Sequence, residues 1–150
     1  DNVRIIPLAS ETDARLKILR GSQYAVLVDA PCSGSGTWRR SPDMKWRDME
    51  LSALNATQLS VLTATAKLVR EGGYVVYATC SLMHSENEAV VEAFLAQHSD
   101  YVRLPAQQRL AEVGYVLPDS AFSEQGALQL RPDLHGMDGF YAVLLQRQAI

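Results

Sequence analysis

The sequence predicts an α/β fold: a doubly wound sheet whose final strands form an antiparallel edge. Three observations carry that prediction. Short apolar runs read as buried strands, a long amphipathic stretch joins two of them, and turn-forming residues stand at the junctions. The runs lie at residues 3–8 (VRIIPL), 24–28 (YAVLV) and 74–78 (YVVYA), all rich in β-branched or aromatic residues. Gly21 and Ser22 precede the second run, and Gly72 and Gly73 precede the third. Between them, over residues 48–70, Leu51, Leu54, Leu59, Leu62, Ala66 and Val69 recur at three- to five-residue steps. That spacing predicts an amphipathic helix, closed by the two glycines. A strand–helix–strand crossover of this kind sets both strands parallel in one sheet.

After the third strand, Ser85 to Glu88 has the S-x-x-E form of a capping box ahead of AVVEAFL, which predicts a helix over residues 86–97. A short strand is expected at residues 101–104, then a weakly patterned stretch to Gln125. A last strand is expected in GFYAVLL, residues 139–145.

Composition bounds the possibilities. With 150 residues, 47% hydrophobic and 21% charged, the chain has the make-up of one soluble globular domain. It contains no apolar run of 18 residues, so a membrane helix is not expected. The net charge of −3 supplies no global attraction for nucleic acid, so any such contact must be local. Two cysteines, 48 positions apart with no export signal, suggest free thiols and a cytoplasmic protein. A monomer is expected. The chain opens without Met on what reads as the middle of an α/β unit, which suggests a piece of a longer protein.

Ligands of open α/β sheets bind beyond the carboxyl ends of the strands. Two such ends are unusual here: DAPCSGSGT from Asp29 to Thr37, and ATCS from Ala78 to Ser81. Asp29 sets a carboxylate on the rim of the sheet, Pro31 stiffens the turn, and Gly34 and Gly36 allow a close approach. Taken alone, Cys32 is as easily a small buried hydrophobe as a reactive group. The second strand end alters that balance, because Cys80 follows its strand as Cys32 follows the preceding one. Neighbouring strands lie about 4.8 Å apart, so both thiols would face one cleft beside a carboxylate. A thiol near a helix start or a cation has a lowered pKa and becomes nucleophilic.

Such parts suit one chemical problem. The C5 atom of cytosine is too weak a nucleophile to attack a methyl sulfonium. Addition of a thiolate to C6 creates an enamine that can be methylated, after which a base removes the C5 proton and the thiolate leaves. A covalent nucleophile, a carboxylate for the ring's amine or N3, and a group for elimination are required. Asp29, Cys80 and Cys32 offer these three roles, and the residues alone do not rank the cysteines.

The string DAPCSGSGTWRRSPDMKW (29–46), with YATCS (77–81) and HGMDGFYAVLLQR (135–147), resembles the Sun/Nop (Fmu-type) RNA 5-methylcytosine methyltransferases, most closely their bacterial 16S ribosomal RNA branch. The likeness covers nearly the whole chain. It implies a Rossmann-like methyltransferase sheet with an antiparallel last strand, and S-adenosyl-L-methionine as the cofactor. It implies that Cys80 is the covalent nucleophile and Cys32 assists product release. Asp29, which also belongs to the cofactor side, would hold the target cytosine with help from the Pro31 carbonyl. The family's glycine-rich cofactor loop has no counterpart in this sequence, and GSGT at 34–37 follows the wrong strand. The chain alone is therefore expected to bind the cofactor weakly or not at all, which calorimetry measures.

Arg39, Arg40, Lys45 and Arg47 lie beside Trp38 and Trp46, cations interleaved with aromatics as in single-stranded RNA contacts. Asp43 and Asp48 offset half of that charge, so a solvated loop is the competing reading. RNA, ribosomal in particular, is the expected partner, with Arg39, Arg40, Lys45 and Pro31 on the substrate side. Cys32, Cys80, His84 and His135 match no usual zinc spacing, so no metal is expected. His98 reads as a surface residue.

Two other functions compete. An amino-methyltransferase uses the same strand end with an Asp-Pro-Pro-aromatic signature and needs no thiol, so the two cysteines argue against it. The other is a truncated, catalytically silent domain that only binds RNA or a partner. DNA enzymes of related chemistry attack with the Pro-Cys cysteine; the presence of both cysteines favours RNA by resemblance.

Overall fold

In the computed structural model, which describes residues 2–149, five strands form one mixed sheet. They are β1 (Gln23–Asp29), β2 (Val69–Thr79), β3 (Tyr101–Leu104), β4 (Leu128–Leu130) and β5 (Phe140–Arg147). The order is β1-β2-β5-β3, with β4 also pairing β5. β1 and β2 are parallel, joined by the expected helical crossover; β5 runs antiparallel to β2, β3 and β4. The antiparallel last strand is thus as expected, and the final strands β3, β4 and β5 make up the antiparallel edge region of the sheet, with β5 itself inside β3. It lies between β2 and β3 because Tyr141, Val143 and Leu145 on one face are all buried, and a strand at that depth needs backbone partners on both sides.

Helices α1 (Leu51–Ala66) and α2 (Glu88–Gln97) cover that face. Leu62 and Ala66 of α1, with Val90, Val91 and Phe94 of α2, close on Val75, Tyr77, Tyr141, Val143 and Leu145. Each such large side chain contributes about 1.5–3 kcal/mol by leaving water. The opposite face is more open. Helix α3 (Ala106–Glu112) borders an apolar cleft of about 200 Å³ over Val76, Ala142 and Leu144, while Leu27 of β1 is 69% exposed. No helix among the described residues is long and apolar enough to cross a membrane.

Four local expectations require correction. Residues 3–8 form no strand; Val3 and Ile5 are exposed, and Pro7 interrupts the run where no neighbouring strand lies beside it. The helix predicted over 48–70 spans Leu51–Ala66, and Val69 and Arg70 already belong to β2. Gly72, at φ +73°, turns the chain inside β2, where the register with β1 jumps from Gln23↔Val69 to Ala25↔Tyr74. The glycine pair therefore forms an irregularity in a strand rather than a helix cap. Lastly, Ser85 caps nothing: α2 starts at Glu88 after Asn87, with no side-chain cap bond. The polar side chains before α2 turn inward instead.

Candidate active site

The parallel register ends at Asp29↔Ala78, and the loops beyond it are stitched together by backbone bonds. Ala30 N–H donates to the Ala78 carbonyl at 2.9 Å, and Gly36 N–H donates to the Cys80 carbonyl at 2.9 Å. Folded in this way, the two loops bring Cys32 Sγ and Cys80 Sγ to 3.3 Å, both half-buried. Asp29 stands exposed on the rim beside them.

The expected lowering of a thiol pKa is not found at Cys80. Burial pushes that thiol up to about 11, the hydrogen bond with Cys32 and the charge of Cys32 add to the rise, and Asp29 contributes in the same direction. The surroundings of Cys80 are a second thiol and a carboxylate, not a cation, and a partial backbone hydrogen bond does not compensate.

Beneath the thiols lies a fully buried polar cluster. Glu86 accepts from Ser33 N–H at 2.7 Å, from Ser33 Oγ at 2.5 Å and from Gln58 Nε2 at 3.0 Å. Ser81 Oγ also donates to it in a short hydrogen bond. Gln58 Nε2 donates in addition to the Pro31 carbonyl at 2.8 Å, so that carbonyl, expected to face the substrate, is already engaged from below. Asn87 Oδ1 accepts from Thr79 Oγ1 at 2.6 Å while its Nδ2 donates to the Ser81 carbonyl at 2.8 Å. The next residue, Glu88, pairs with Arg103 at 2.7 Å and accepts from Tyr141 Oη at 2.9 Å. Burial above all, then the charge of Glu88 and that bond, hold the Tyr141 hydroxyl far above its ordinary range.

The basic segment lies on the surface. Arg39 and Arg40 are exposed, and each donates its Nε to Asp138, Arg39 at 2.8 Å. The Arg39 hydrogen bond above all holds the Asp138 carboxyl below its usual range. Asp138, rather than Asp43 or Asp48, is thus the acidic partner of these cations. Lys45 Nζ sits 5.3 Å from the ring centre of Trp46, which is 81% exposed. Between this segment and the thiols is a cleft of about 150 Å³ lined by Ser33, Trp38, Met44, Met49 and Met83 among others. Gly139 closes the back: its N–H donates to the Gly36 carbonyl at 2.8 Å, and a Cβ on Gly36 would lie 2.5 Å from the Gly139 carbonyl oxygen.

The histidines stand apart. His84 is exposed, and His135 Nδ1 accepts from Arg131 N–H at 2.8 Å. His98 is not a free surface residue: it is half-buried and stacks on Phe94 at 4.2 Å. Among the described residues, no three His, Cys, Asp or Glu side chains gather as metal ligands do.

For S-adenosyl-L-methionine, the described residues offer one suitable group, the exposed Asp29 carboxylate, which can face a cationic donor. The clefts they form, of about 100–240 Å³, are lined by other residues. These residues therefore do not of themselves enclose a group of nucleoside size, and no step is routed through one.

Sequence reasoning located Cys32, Cys80 and Asp29, and missed Glu86, Asn87, Gln58 and the role of Asp138. One signal was available for Gln58. It precedes Leu62 and Ala66 at four-residue steps, so a polar residue occupies the buried stripe of α1. Glu86 was hidden by its place in a sequence that resembles a capping box.

A family model described as 16S rRNA methyltransferase RsmB/F matches residues 7–146. A probable ribosomal RNA small subunit methyltransferase B of Bacillus subtilis is 40% identical over 126 residues, 82% of this chain and 27% of that protein. Its namesake from Synechocystis is 37% identical over 125 residues, 81% of this chain and 26% of that protein. The crystal structure of PH0851 superposes with a TM-score of 0.72 at 30% identity, over 85% of this chain and 27% of the other. The chain spans about a quarter of the length of the curated relatives it matches.

Proposed function

The chain belongs to the 16S rRNA methyltransferase RsmB/F family, and we propose that it carries the base-side chemistry of cytosine-5 methylation in ribosomal RNA. The observation that supports this reading is the pair of thiols 3.3 Å apart at the ends of adjacent parallel strands. Methylation of an amine lone pair requires neither thiol, whereas methylation at C5 requires one group to add at C6 and another to clear the C5 proton.

In this reading S-adenosyl-L-methionine supplies the methyl group. Cys80 attacks C6 as its thiolate, forming a sulfur–carbon bond, and Asp29 holds the exocyclic amine or the protonated N3. Before the attack, charge on the Cys32 sulfur opposes ionisation of the Cys80 thiol. Once Cys80 is bonded to carbon it carries no charge, and that opposition ends. Cys32, its own proton given up to solvent, then accepts the C5 proton as a thiolate. The C5–H electrons re-form the C5–C6 double bond, the sulfur–carbon bond breaks with its pair returning to Cys80, and the aromatic ring returns. Arg39, Arg40 and Lys45 contact phosphates on the approach to the site, and Trp46 offers a stacking face.

The test uses full-length protein and RNA carrying 5-fluorocytosine, which cannot lose its C5 substituent and so traps the adduct. Cys80→Ala abolishes the adduct. Cys32→Ala accumulates a covalent complex on ordinary RNA, because elimination stalls. The opposite assignment of the two phenotypes would overturn these roles, and no adduct with either cysteine present would overturn the reading itself.

A further inference from the structure

We propose that Glu86 is a positioning residue that sets the geometry of both thiols at once. The proposal deepens the methyl-transfer reading and rests on it for its kinetic consequence; its geometric content stands separately. Glu86 is completely buried and touches neither sulfur in the hydrogen-bond pattern. It holds instead the residues immediately beyond each cysteine. Ser33 delivers its backbone N–H and its hydroxyl to the carboxylate, and Ser81 delivers its hydroxyl. Gln58, which donates to the same carboxylate, grips the Pro31 carbonyl on the other side of Cys32. One side chain thus ties together two loops separated by 48 positions in the chain, directly below the point where their sulfurs meet.

The directions of these bonds explain the choice of a carboxylate. Ser81 Oγ accepts from Met83 N–H at 3.0 Å, and Ser33 Oγ is within reach of Ser35 N–H at 3.3 Å, so both hydroxyl protons are free for Glu86. With the amide protons of Ser33 and Gln58, four donors converge on two oxygens. An acceptor-only group satisfies all four; an amide of the same shape would turn an N–H toward a donor. Among the described residues Glu86 has no cationic partner. A buried carboxylate without a counter-ion is costly, and filling the space alone would be served better by an apolar side chain. Its contribution is therefore to fix direction: the loops carrying Cys32 and Cys80 cannot shift relative to each other without breaking a charge-assisted bond.

Phenylarsine oxide tests this in full-length protein. Its arsenic bonds to two thiols together and releases water, so tight capture requires both sulfurs at a fixed short separation. The wild type captures the arsenical at the Cys32–Cys80 pair, and Cys32→Ala, which removes one thiol of that pair, loses this uptake. In Glu86→Gln the affinity for the arsenical falls about tenfold, the size of effect expected for a lost buried bond to a charged group. The kcat for methyl transfer falls about a hundredfold, as for a small misplacement of reacting groups, while KM for RNA is unchanged. Leu62→Ala, a core change in α1 one turn beyond Gln58 that removes no hydrogen bond of the cluster, lowers the melting temperature but keeps the arsenical affinity.

Wild-type arsenical affinity in Glu86→Gln would overturn the proposal, as would an equal loss in Leu62→Ala. Should Glu86→Gln not fold, Gln58→Leu releases Pro31 and one Glu86 contact; unchanged arsenical affinity in that variant likewise overturns it. If the arsenical results hold and no methyl transfer is seen, positioning stands and the methyl-transfer reading fails.

Discussion

The buried cluster under the cysteines and the basic segment that follows the first of them are adjacent in sequence and built in opposite ways. Ser33, Ser35, Gln58, Ser81, Glu86 and Asn87 are all buried, and each is hydrogen-bonded. Arg39, Arg40, Lys45 and Trp46 are exposed, on a stretch whose regular structure is a single short 3-10 turn from Pro42 to Trp46. The first region is tied from within by a shared carboxylate; the second is tied from outside, by Asp138. Covalent chemistry tolerates little misplacement of the reacting atoms. Phosphates can be met by cations on adaptable side chains, because such contacts position the RNA without reading the bases. Rigidity is concentrated where bonds would form, and is relaxed where the polymer would be gripped.

The comparison can be broken most severely at Gly36. A Cβ there would stand 2.5 Å from the Gly139 carbonyl oxygen and 2.8 Å from the Cys80 carbonyl oxygen, both on backbone that cannot rotate away. Gly36→Ala is expected to cost at least about 1–3 kcal/mol, the range of overpacked sites. It should also displace Cys80, seen as a lower melting temperature together with lost adduct formation. A fully stable, fully active variant would show that the loops are not held tightly.

Reversing the charges of the basic segment should do the converse. Arg39→Glu with Arg40→Glu is expected to weaken RNA binding and to flatten its dependence on log salt by about one to two units, the size of two lost phosphate contacts. Stability should fall by no more than about 1 kcal/mol for each change, the size of an exposed ion pair such as those with Asp138. An unchanged affinity across a salt series would remove this segment from the RNA interface.

The smallest effect concerns pH. With the Cys80 thiol raised from 9.0 to about 11, the fold keeps a proton that the unfolded chain would lose first. The stabilising contribution is therefore complete below pH 9.0 and is lost as pH rises toward about 11. In the same window the rate of Cys80 alkylation by iodoacetamide should climb. Replacing Cys32 with Ala removes the sulfur that raises the Cys80 thiol by hydrogen bond and charge, so the midpoint should move down. An unmoved midpoint would leave burial, with the smaller contribution of Asp29, as the cause.

How much could be read in advance differs by region. The β1–α1–β2 unit was legible because its signal is periodicity, which a sequence displays directly. The pairing of Cys32 with Cys80 followed from that unit, since equivalent positions after parallel neighbours meet. The strand expected at residues 3–8 failed because an apolar run becomes a strand only with a partner beside it. The capping-box reading failed because Glu86 and Asn87 have stronger partners in the loops than at the start of α2. Those partners come from distant parts of the chain, and no local pattern announces them.

By itself the sequence determined which residues stand at the ends of β1 and β2, that two thiols and a carboxylate share one rim, and that a basic aromatic segment follows. Tertiary structure alone decided that β5 enters beside β2, that Asp138 returns to the two arginines, and that Glu86 and Gln58 lie under the cysteines. It also decided the pKa of the Cys80 thiol, raised where that of a nucleophile had been expected to be lowered. The physical reason is the same in each case. Periodicity and motif spacing are properties of neighbours along the chain, whereas burial, charge and hydrogen-bond satisfaction depend on which distant residues arrive.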